Sequence, residues 1–201
     1  MDVRFINPFL DGVVEVLTKM ARLNPVAGKP FAKSNDAAYG DVSGIIGMTG
    51  DAIGSLALTF SEECIIGIVS NMLGESYTEI NKDVMDTVGE LTNMISGASR
   101  KLMEKDNLKV FAAIPSVIFG KDHSVRHVIH GTSIVIPFHT ESGDFVIDVC
   151  LQSQLNKKEE KVTSKEQVAP DMSVFTTKKV DTLNYNMPSM PRLSSRLCRI
   201  E

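Results

Sequence analysis

Residues 82–105, with the sequence KDVMDTVGELTNMISGASRKLMEK, carry the longest helical periodicity in the chain. Apolar side chains recur there at alternating steps of four and three residues, which places them along one stripe of an α-helix; they are Val84, Val88, Leu91, Ile95, Ala98 and Leu102. Asn81 is a good N-cap residue for this helix. The segment therefore predicts a long helix that packs one face against other elements.

The other side of this helix carries polar residues and a glycine. At about 100° per residue, four positions fall on the far or flanking side; they are Asp86, Glu90, Asn93 and Gly97. Glu90 and Asn93 are three apart and are therefore neighbours on the helix surface. A glycine is unfavourable inside a helix. We therefore expect Gly97, one turn after Asn93, to mark a place where another backbone comes close.

This spacing is not specific by itself. The same E-x-x-N pattern occurs at Glu104 and Asn107, where we expect only a frayed helix end. Without further context, Glu90 and Asn93 would be interpreted as solvated surface residues.

The segments before the long helix predict two strands between two other helices. Residues 42–48 and 53–60 are strands that flank a turn at residues 49–51, and the second strand alternates between apolar and polar residues. The first helix is predicted to have Asn7 as its cap and Pro8 as its first residue, and to run to about residue 23. Ser61 is expected to cap the second helix, which Gly74 terminates.

Three further strands are predicted after the long helix. Residues 110–119 are extended in pattern, and Pro115 places them at a sheet edge or a bulge. Residues 132–138 and 145–151 form a hairpin, whose second strand alternates so that one face is buried. The order α-β-β-α-α-β-β-β predicts an α+β fold with helices packed on a largely antiparallel β-sheet.

The periodic patterns end after Gln152. The residues that follow are rich in Ser, Thr, Lys and Pro, a composition typical of disorder. We therefore predict one folded domain at residues 1–152 and a disordered tail at residues 153–201.

The first 152 residues carry a net charge of −7 and the tail one of +3. An acidic body argues against nucleic-acid binding, which needs a basic surface.

Composition also indicates the cell compartment. No apolar run reaches 18 residues and the N-terminus lacks a signal-peptide pattern, so we expect no membrane insertion. The three cysteines, Cys64, Cys150 and Cys198, lie far apart and form no C-x-x-C pair. We expect a reduced, cytoplasmic protein without a disulfide framework.

Other kinds of site have weaker support. Four histidines could approach a metal ion, but residues 121–130 are predicted to be a loop with no adjacent Cys or Glu; the four are His123, His127, His130 and His139. No G-x-S-x-G pattern or Ser-His-Asp arrangement is found. Cys64 and Cys150 lie in apolar elements and are expected to pack rather than to react.

The context of Glu90 and Asn93 resembles that of a known family. The segment GELTNMISGA at residues 89–98 resembles the signature helix of the CheC/CheX/FliY phosphatases, and of the CheX type in particular. The opening Ile6-Asn7-Pro8-Phe9 and the order of elements across residues 1–152 are similar as well. CheC members typically carry two such helices, and the single one found here favours the CheX type. The tail lies outside the resemblance.

The resemblance implies a phosphatase that hydrolyses the aspartyl phosphate of a CheY-type receiver protein in chemotaxis signalling. Its catalytic residues would be Glu90 and Asn93, with Asn93 orienting the attacking water and Glu90 pairing with a lysine of the receiver. The receiver would bring its own Mg²⁺, so no cofactor is expected on this chain. The resemblance also implies a homodimer.

The alternative is a non-enzymatic CheX-like module that binds a response regulator or a flagellar-switch component. The presence of both Glu90 and Asn93 favours the enzyme, because a degenerate family member would often have lost one of them.

Overall fold

The computed structural model describes residues 3–129 and 131–155. Three helices and eight strands follow one another in this part of the chain. In order, they are α1 (Val3–Ala21), β1 (Val26–Ala27), β2 (Phe31–Ala32), β3 (Val42–Gly50), β4 (Ala52–Phe60), α2 (Glu62–Leu73), α3 (Lys82–Lys105), β5 (Val110–Ala112), β6 (Ser116–Phe119), β7 (Ile134–Thr140) and β8 (Gly143–Ser153).

The strands form one antiparallel sheet, which confirms the predicted α+β fold. The order across the sheet is β1-β7-β8-β4-β3-β5, with β2 also beside β7 and β6 also beside β3. Two hairpins, β3–β4 and β7–β8, supply the four long strands at its centre. The long β4–β8 pairing, from Ala52 opposite Ser153 to Phe60 opposite Phe145, joins these hairpins.

One face of the sheet packs against the helices and forms the core. The side chains of β4 that face the helices are Leu56, Leu58 and Phe60, all fully buried. Phe145 lies opposite Phe60 on β8 and stacks on it with ring centroids 5.2 Å apart. This burial of aromatic and branched side chains is the main source of stability for such a two-layer domain.

The other face of the sheet is more covered than the alternating pattern of residues 145–151 predicts. Asp148 and Cys150, on the alternate face of β8, are only 3% and 1% exposed. The chain between β6 and β7 lies over this outer face, where His123 contacts Ser43 and His127 contacts Ser55. The prediction of a single buried face was therefore wrong at the centre of β8, because a loop without periodicity supplies the cover.

The first helix begins earlier than predicted. It already includes Val3, so Pro8 lies inside the helix and Asn7 is not its cap. A proline at this position removes one backbone hydrogen bond near the start of the helix. Phe5 and Phe9, one turn apart, are 1% and 0% exposed, and their burial holds the first turns in place. Two apolar residues of the helix, Val14 and Met20, are exposed.

The remaining boundaries follow from local chemistry. Ser61 caps α2 by accepting the Cys64 N–H at 3.3 Å, and Gly74 ends that helix with φ 72°. The predicted strand at residues 110–119 is interrupted around Pro115 and becomes β5 and β6. The two-residue strands β1 and β2 were not predicted, because they are too short to show a pattern.

Strand β8 continues through Ser153, and the Gln154 N–H donates to the Asp51 carbonyl at 2.7 Å. The first residues assigned to the tail therefore pack on the domain. The rest of the predicted tail, residues 156–201, lies outside the described residues, and its disorder stays a prediction. Within residues 3–129 and 131–155, no helix combines the length and hydrophobicity needed to cross a bilayer.

Candidate functional site

Helix α3 carries the predicted site, and both its bounds agree with the prediction. The Asn81 side chain accepts the Val84 N–H at 3.0 Å and so caps the helix. The apolar stripe is buried at four of its six positions, which are Val84, Val88, Leu91 and Ile95. Ala98 and Leu102 are half-buried. The local signals that specify a helix are therefore sufficient here.

Two close contacts fix the position of α3. Thr92 is fully buried over Gly44 of β3, where a β-carbon on the glycine would overlap the Thr92 hydroxyl. On the α1 side, a β-carbon at Gly12 would lie 2.5 Å from the Ser99 hydroxyl. At both glycines the neighbouring side chain comes closer than a residue with a β-carbon would permit. The α3 backbone on either side of Asn93 is thus held against a strand and a helix.

Glu90 and Asn93 both lie exposed on α3, and the two residues between them, Leu91 and Thr92, are buried. The two exposed residues therefore share the outward face of one helical turn. Neither side chain forms a hydrogen bond or an ion pair with another residue of the described segments. The pair is free to contact a partner molecule, and its catalytic role stays a prediction.

Glycines lie one turn before and one turn after Asn93. A β-carbon at Gly89 would meet the Val117 Cγ2 atom at 3.5 Å, and one at Gly97 would meet the Arg100 Nη2 atom at 3.9 Å. Both are ordinary van der Waals distances, so packing within the described chain does not require either glycine. The two glycines leave Asn93 on a low stretch of helix surface that a partner backbone can approach closely.

The second E-x-x-N pattern is placed differently. Glu104 lies in the last turn of α3, whereas Asn107 follows the helix end with φ 59°. The two residues therefore do not share a helix face. This difference provides an internal control for the predicted site.

The three histidines in the described part of the chain are engaged in hydrogen bonds or an ion pair rather than gathered around a common point. His123 bonds the Ser43 hydroxyl and the Gly120 carbonyl, both at 2.7 Å, and His139 pairs with the exposed Asp144. His130 lies outside the described residues. Across residues 3–129 and 131–155, no three His, Cys, Asp or Glu side chains are close enough to bind a metal ion together.

The structure does bring Ser55, His127 and Asp148 together, which the sequence did not reveal. His127 Nδ1 lies 2.6 Å from the Ser55 hydroxyl, and Nε2 lies 2.9 Å from Asp148 Oδ1 without the alignment of a hydrogen bond. Ser55 lies in β4, whose backbone N–H groups pair with β3 and β8. These strand N–H groups are used in the sheet, so β4 itself offers no oxyanion hole beside Ser55 of the kind that acyl transfer needs.

Asp148 instead anchors the outer-face loops to the sheet. Lys33 Nζ donates to Asp148 Oδ2 at 2.6 Å, and the Ser133 hydroxyl donates to Oδ1. Burial raises the pKa of Asp148, but contacts from His127, Lys33 and Ser133 outweigh that effect and hold the pKa below its usual value. The Lys33 and Asp148 side chains are only 6% and 4% exposed, so this is a buried ion pair.

The two described cysteines are packed as expected. Burial raises the pKa of Cys64 to about 12 and also raises that of Cys150. A thiol that stays protonated is a poor nucleophile. These cysteines therefore do not form a reactive site.

The fold is that of the CheC-like proteins. The crystal structure of a CheC-like superfamily protein from Shewanella sp. PV-4 matches with a TM-score of 0.72 and 42% identity, covering 76% of this chain and all of its own. The sequence pattern of the family Chemotaxis phosphatase CheX matches residues 42–139. CheY-P phosphatase CheX of Thermotoga maritima is 30% identical over 127 residues, or 63% of this chain and 82% of the relative. The chain belongs to the CheX family of chemotaxis phosphatases.

A more distant structure shares the fold. A chain in the CheX-CheY-BeF3-Mg²⁺ complex from Borrelia burgdorferi matches with a TM-score of 0.63 and 23% identity, covering 74% of this chain and 98% of its own. At this identity, the match concerns the architecture alone.

Proposed function

We propose that this protein hydrolyses the aspartyl phosphate of a phosphorylated CheY-type receiver domain. The observation that carries the proposal is the exposed pair Glu90 and Asn93 on one turn of α3, free of partners in the described chain. The Thermotoga maritima relative, which bears the name CheY-P phosphatase, supports this choice of substrate. The Borrelia burgdorferi complex pairs a CheX protein with CheY.

Asn93 is proposed to orient the attacking water. Its carboxamide offers an acceptor oxygen and donor N–H groups, so it can hold a water molecule in a fixed direction without taking its proton. The water oxygen attacks phosphorus in line with the bond to the aspartyl oxygen, and that bond breaks. The receiver recovers a free aspartate carboxylate, and the protons of the water leave with inorganic phosphate. Positioning supplies much of the catalysis in phosphoryl transfer.

Glu90 is proposed to pair with a lysine of the receiver. A carboxylate beside an anionic phosphoryl group is repelled unless a cation lies between them. A lysine near the receiver's phosphorylation site provides this cation, and the ion pair would anchor α3 with Asn93 over the phosphoryl group. Glu90 thus acts mainly in binding and orientation.

The Mg²⁺ required for such chemistry is proposed to belong to the receiver. Carboxylates are the usual protein ligands of Mg²⁺, and in this proposal Glu90, the one carboxylate of the pair, is engaged by the receiver's lysine. We therefore propose that this chain adds no cofactor of its own.

The cytoplasmic location expected from the sequence fits a substrate of this class and stays a prediction.

A homodimer is part of the proposal. Strands β5 and β6 form the edge of the sheet beside β3, and exposed apolar side chains follow that edge; they are Phe111, Ile114, Ile118 and Phe119. Such an unpaired apolar edge favours contact with a second copy. Sedimentation equilibrium of the full chain should give twice the monomer mass, and a monomer at micromolar concentration would contradict this part of the proposal.

A phosphate-release assay separates the enzyme from the non-enzymatic module. A CheY-type receiver is phosphorylated with a small phosphodonor, freed of the donor and mixed with catalytic amounts of this protein in saturating Mg²⁺. We expect release well above the receiver's own rate, with many turnovers per molecule. Tight binding without accelerated release would support the interaction module instead.

A further inference from the structure

A cleft at the C-terminal end of α3 contains an arginine without a partner. The cleft has a volume of about 310 Å³ and lies between α3 and β5. The Arg100 side chain lines it, and its Nε atom is buried without a hydrogen-bond partner among the described residues. A buried donor of this kind is costly unless water or a ligand group satisfies it.

Arg100 lies close to the site proposed above. It follows Asn93 by seven residues, so it faces nearly the same direction two turns further along the helix, about 10 Å away. Its Nη2 atom reaches back to within 3.9 Å of the β-carbon position of Gly97. The guanidinium therefore lies beside Gly97, one turn from Asn93, on the surface that a docked receiver would cover.

Charges of opposite sign are separated along α3, with negative charge before Asn93 and positive charge after it. The charged residues of α3 before Asn93 carry a net charge of −2 and those after it one of +2; they are Lys82, Asp83, Asp86 and Glu90 before it, and Arg100, Lys101, Glu104 and Lys105 after it. The cleft itself is lined by Arg100, Lys101 and Lys109 against a single acidic residue, Glu104. Its excess of positive charge fits an anionic group on the partner.

We propose that the Arg100 cleft receives a carboxylate side chain of the receiver. The planar guanidinium fork suits a carboxylate, which it can bind through two parallel hydrogen bonds. With Glu90 on a receiver lysine and Arg100 on a receiver carboxylate, α3 is held at two points on either side of Asn93. Arg100 is then a positioning residue that sets the register of docking. This inference rests on the proposed function.

The test compares three variants in the receiver phosphatase assay. Arg100→Gln should raise KM for the phosphorylated receiver by at least about tenfold, equivalent to about 1.4 kcal/mol, and leave kcat within about twofold. Arg100→Lys keeps the charge but loses the planar guanidinium group, so its KM should lie between those of the wild type and Arg100→Gln. Lys29→Gln removes the same charge from the exposed β1–β2 connection at the other side of the sheet and should leave KM unchanged.

Two results would overturn the inference. One is an Arg100→Gln variant whose KM matches that of Lys29→Gln. The other is a loss confined to kcat, which would mean that Arg100 acts on the phosphoryl group itself. A charge swap gives a further test. Changing the receiver carboxylate that binds Arg100 to lysine should raise KM, and combining that receiver with Arg100→Glu should bring KM back toward the wild-type value. Failure of every such pair would also count against the cleft.

A binding measurement keeps the inference separate from the proposed function. The receiver is loaded with Mg²⁺ and beryllofluoride, which imitates the phosphorylated state, and titrated calorimetrically into the wild type and Arg100→Gln. If the wild type releases no phosphate, the proposed function fails, but a tenfold weaker binding by Arg100→Gln would still support the cleft. Equal binding by both proteins would refute it even if phosphate release is normal.

Discussion

Glu90 and Asn93 lie on one exposed turn but differ in what their side chains can do near a phosphoryl group. The Glu90 carboxylate carries a charge that can pair with a cation at a distance, whereas the neutral Asn93 carboxamide acts only on what it touches. Their proposed roles therefore separate in kinetics. Loss of Glu90 should affect association, and loss of Asn93 should affect the chemical step.

Glu90→Gln keeps the shape of the side chain and removes its charge. Binding to the beryllofluoride-loaded receiver should weaken by about fivefold, equivalent to about 1 kcal/mol for an ion pair near a surface. The dependence of the association rate on salt should also become shallower. Stopped-flow binding at several ionic strengths measures both quantities. Unaltered binding with a large loss of kcat would instead identify Glu90 as a general base.

Changes at Asp148 test the stability of the outer-face cluster, which consists of Lys33, Ser55, His127, Ser133 and Asp148. Asp148→Asn leaves the Lys33 ammonium group buried without its counter-charge, and we expect a loss of about 3–5 kcal/mol in the free energy of unfolding. Combining it with Lys33→Met should cost less than the sum of the two single changes. Asp144→Asn, at the exposed start of the same strand, serves as the control and should change stability by less than about 0.5 kcal/mol.

The same carboxylate predicts a pH dependence. Its pKa is lower in the folded protein than the ordinary value of 3.8, so its contribution to stability is present above about pH 4 and is lost as the pH falls further. In urea titrations between pH 2 and pH 6, the wild type should lose more stability than Asp148→Asn. Parallel losses in the two proteins would contradict this assignment.

At the scale of elements, α3 is the part of the molecule that the sequence predicts best. Its cap, its apolar stripe and its end are local features, and each appears in the structure where the pattern places it. Helix α1 shows the limit of such patterns. Pro8 usually marks a helix start, but the burial of Phe5 one turn before Phe9 outweighs that local preference.

Gly97 provides a test of the open helix surface. Gly97→Ala removes an unfavourable helix glycine, and only Arg100 Nη2 comes within 4 Å of the new β-carbon. The variant should therefore be more stable by about 0.5–1 kcal/mol. If a receiver backbone approaches there, KM should nevertheless rise by at least about threefold.

Asn71→Ala is the matched control, because Asn71 is exposed on α2 and alanine is also the better helix former there. It should raise Tm without changing KM. A Gly97→Ala variant that gains stability and docks normally would show that the glycine does not serve a close approach.

At the scale of the whole molecule, the sheet separates two kinds of packing. The helix-covered face is apolar and was largely predictable, because its residues alternate along the central strands. The outer face depends on Lys33, Ser55, His127, Ser133 and Asp148, which lie in five separate parts of the sequence. No local period links them, so only the folded chain reveals the cluster.

The extent of the folded domain can be tested by truncation. Strand β8 runs to Ser153, and Leu155 packs against the core, so a stop after Leu155 retains every contact of the described domain. We expect the shortened protein to match the full chain in Tm within about 2 °C and in phosphate release. A large loss of either would show that residues 156–201 contribute to the fold or to the activity.

The turnover number of Asn93→Ala on a phosphorylated receiver in saturating Mg²⁺ tests most directly whether Asn93 orients the attacking water. Asn93 is exposed, so Tm should hardly change, and loss of the water-orienting group should lower kcat by at least about tenfold with a smaller change in affinity. Asn107→Gly breaks the second E-x-x-N pattern at a position where glycine fits the positive φ, and it should leave kcat unchanged. Near-normal turnover by Asn93→Ala, or an equal loss in the control, would contradict the assignment of the site to Asn93.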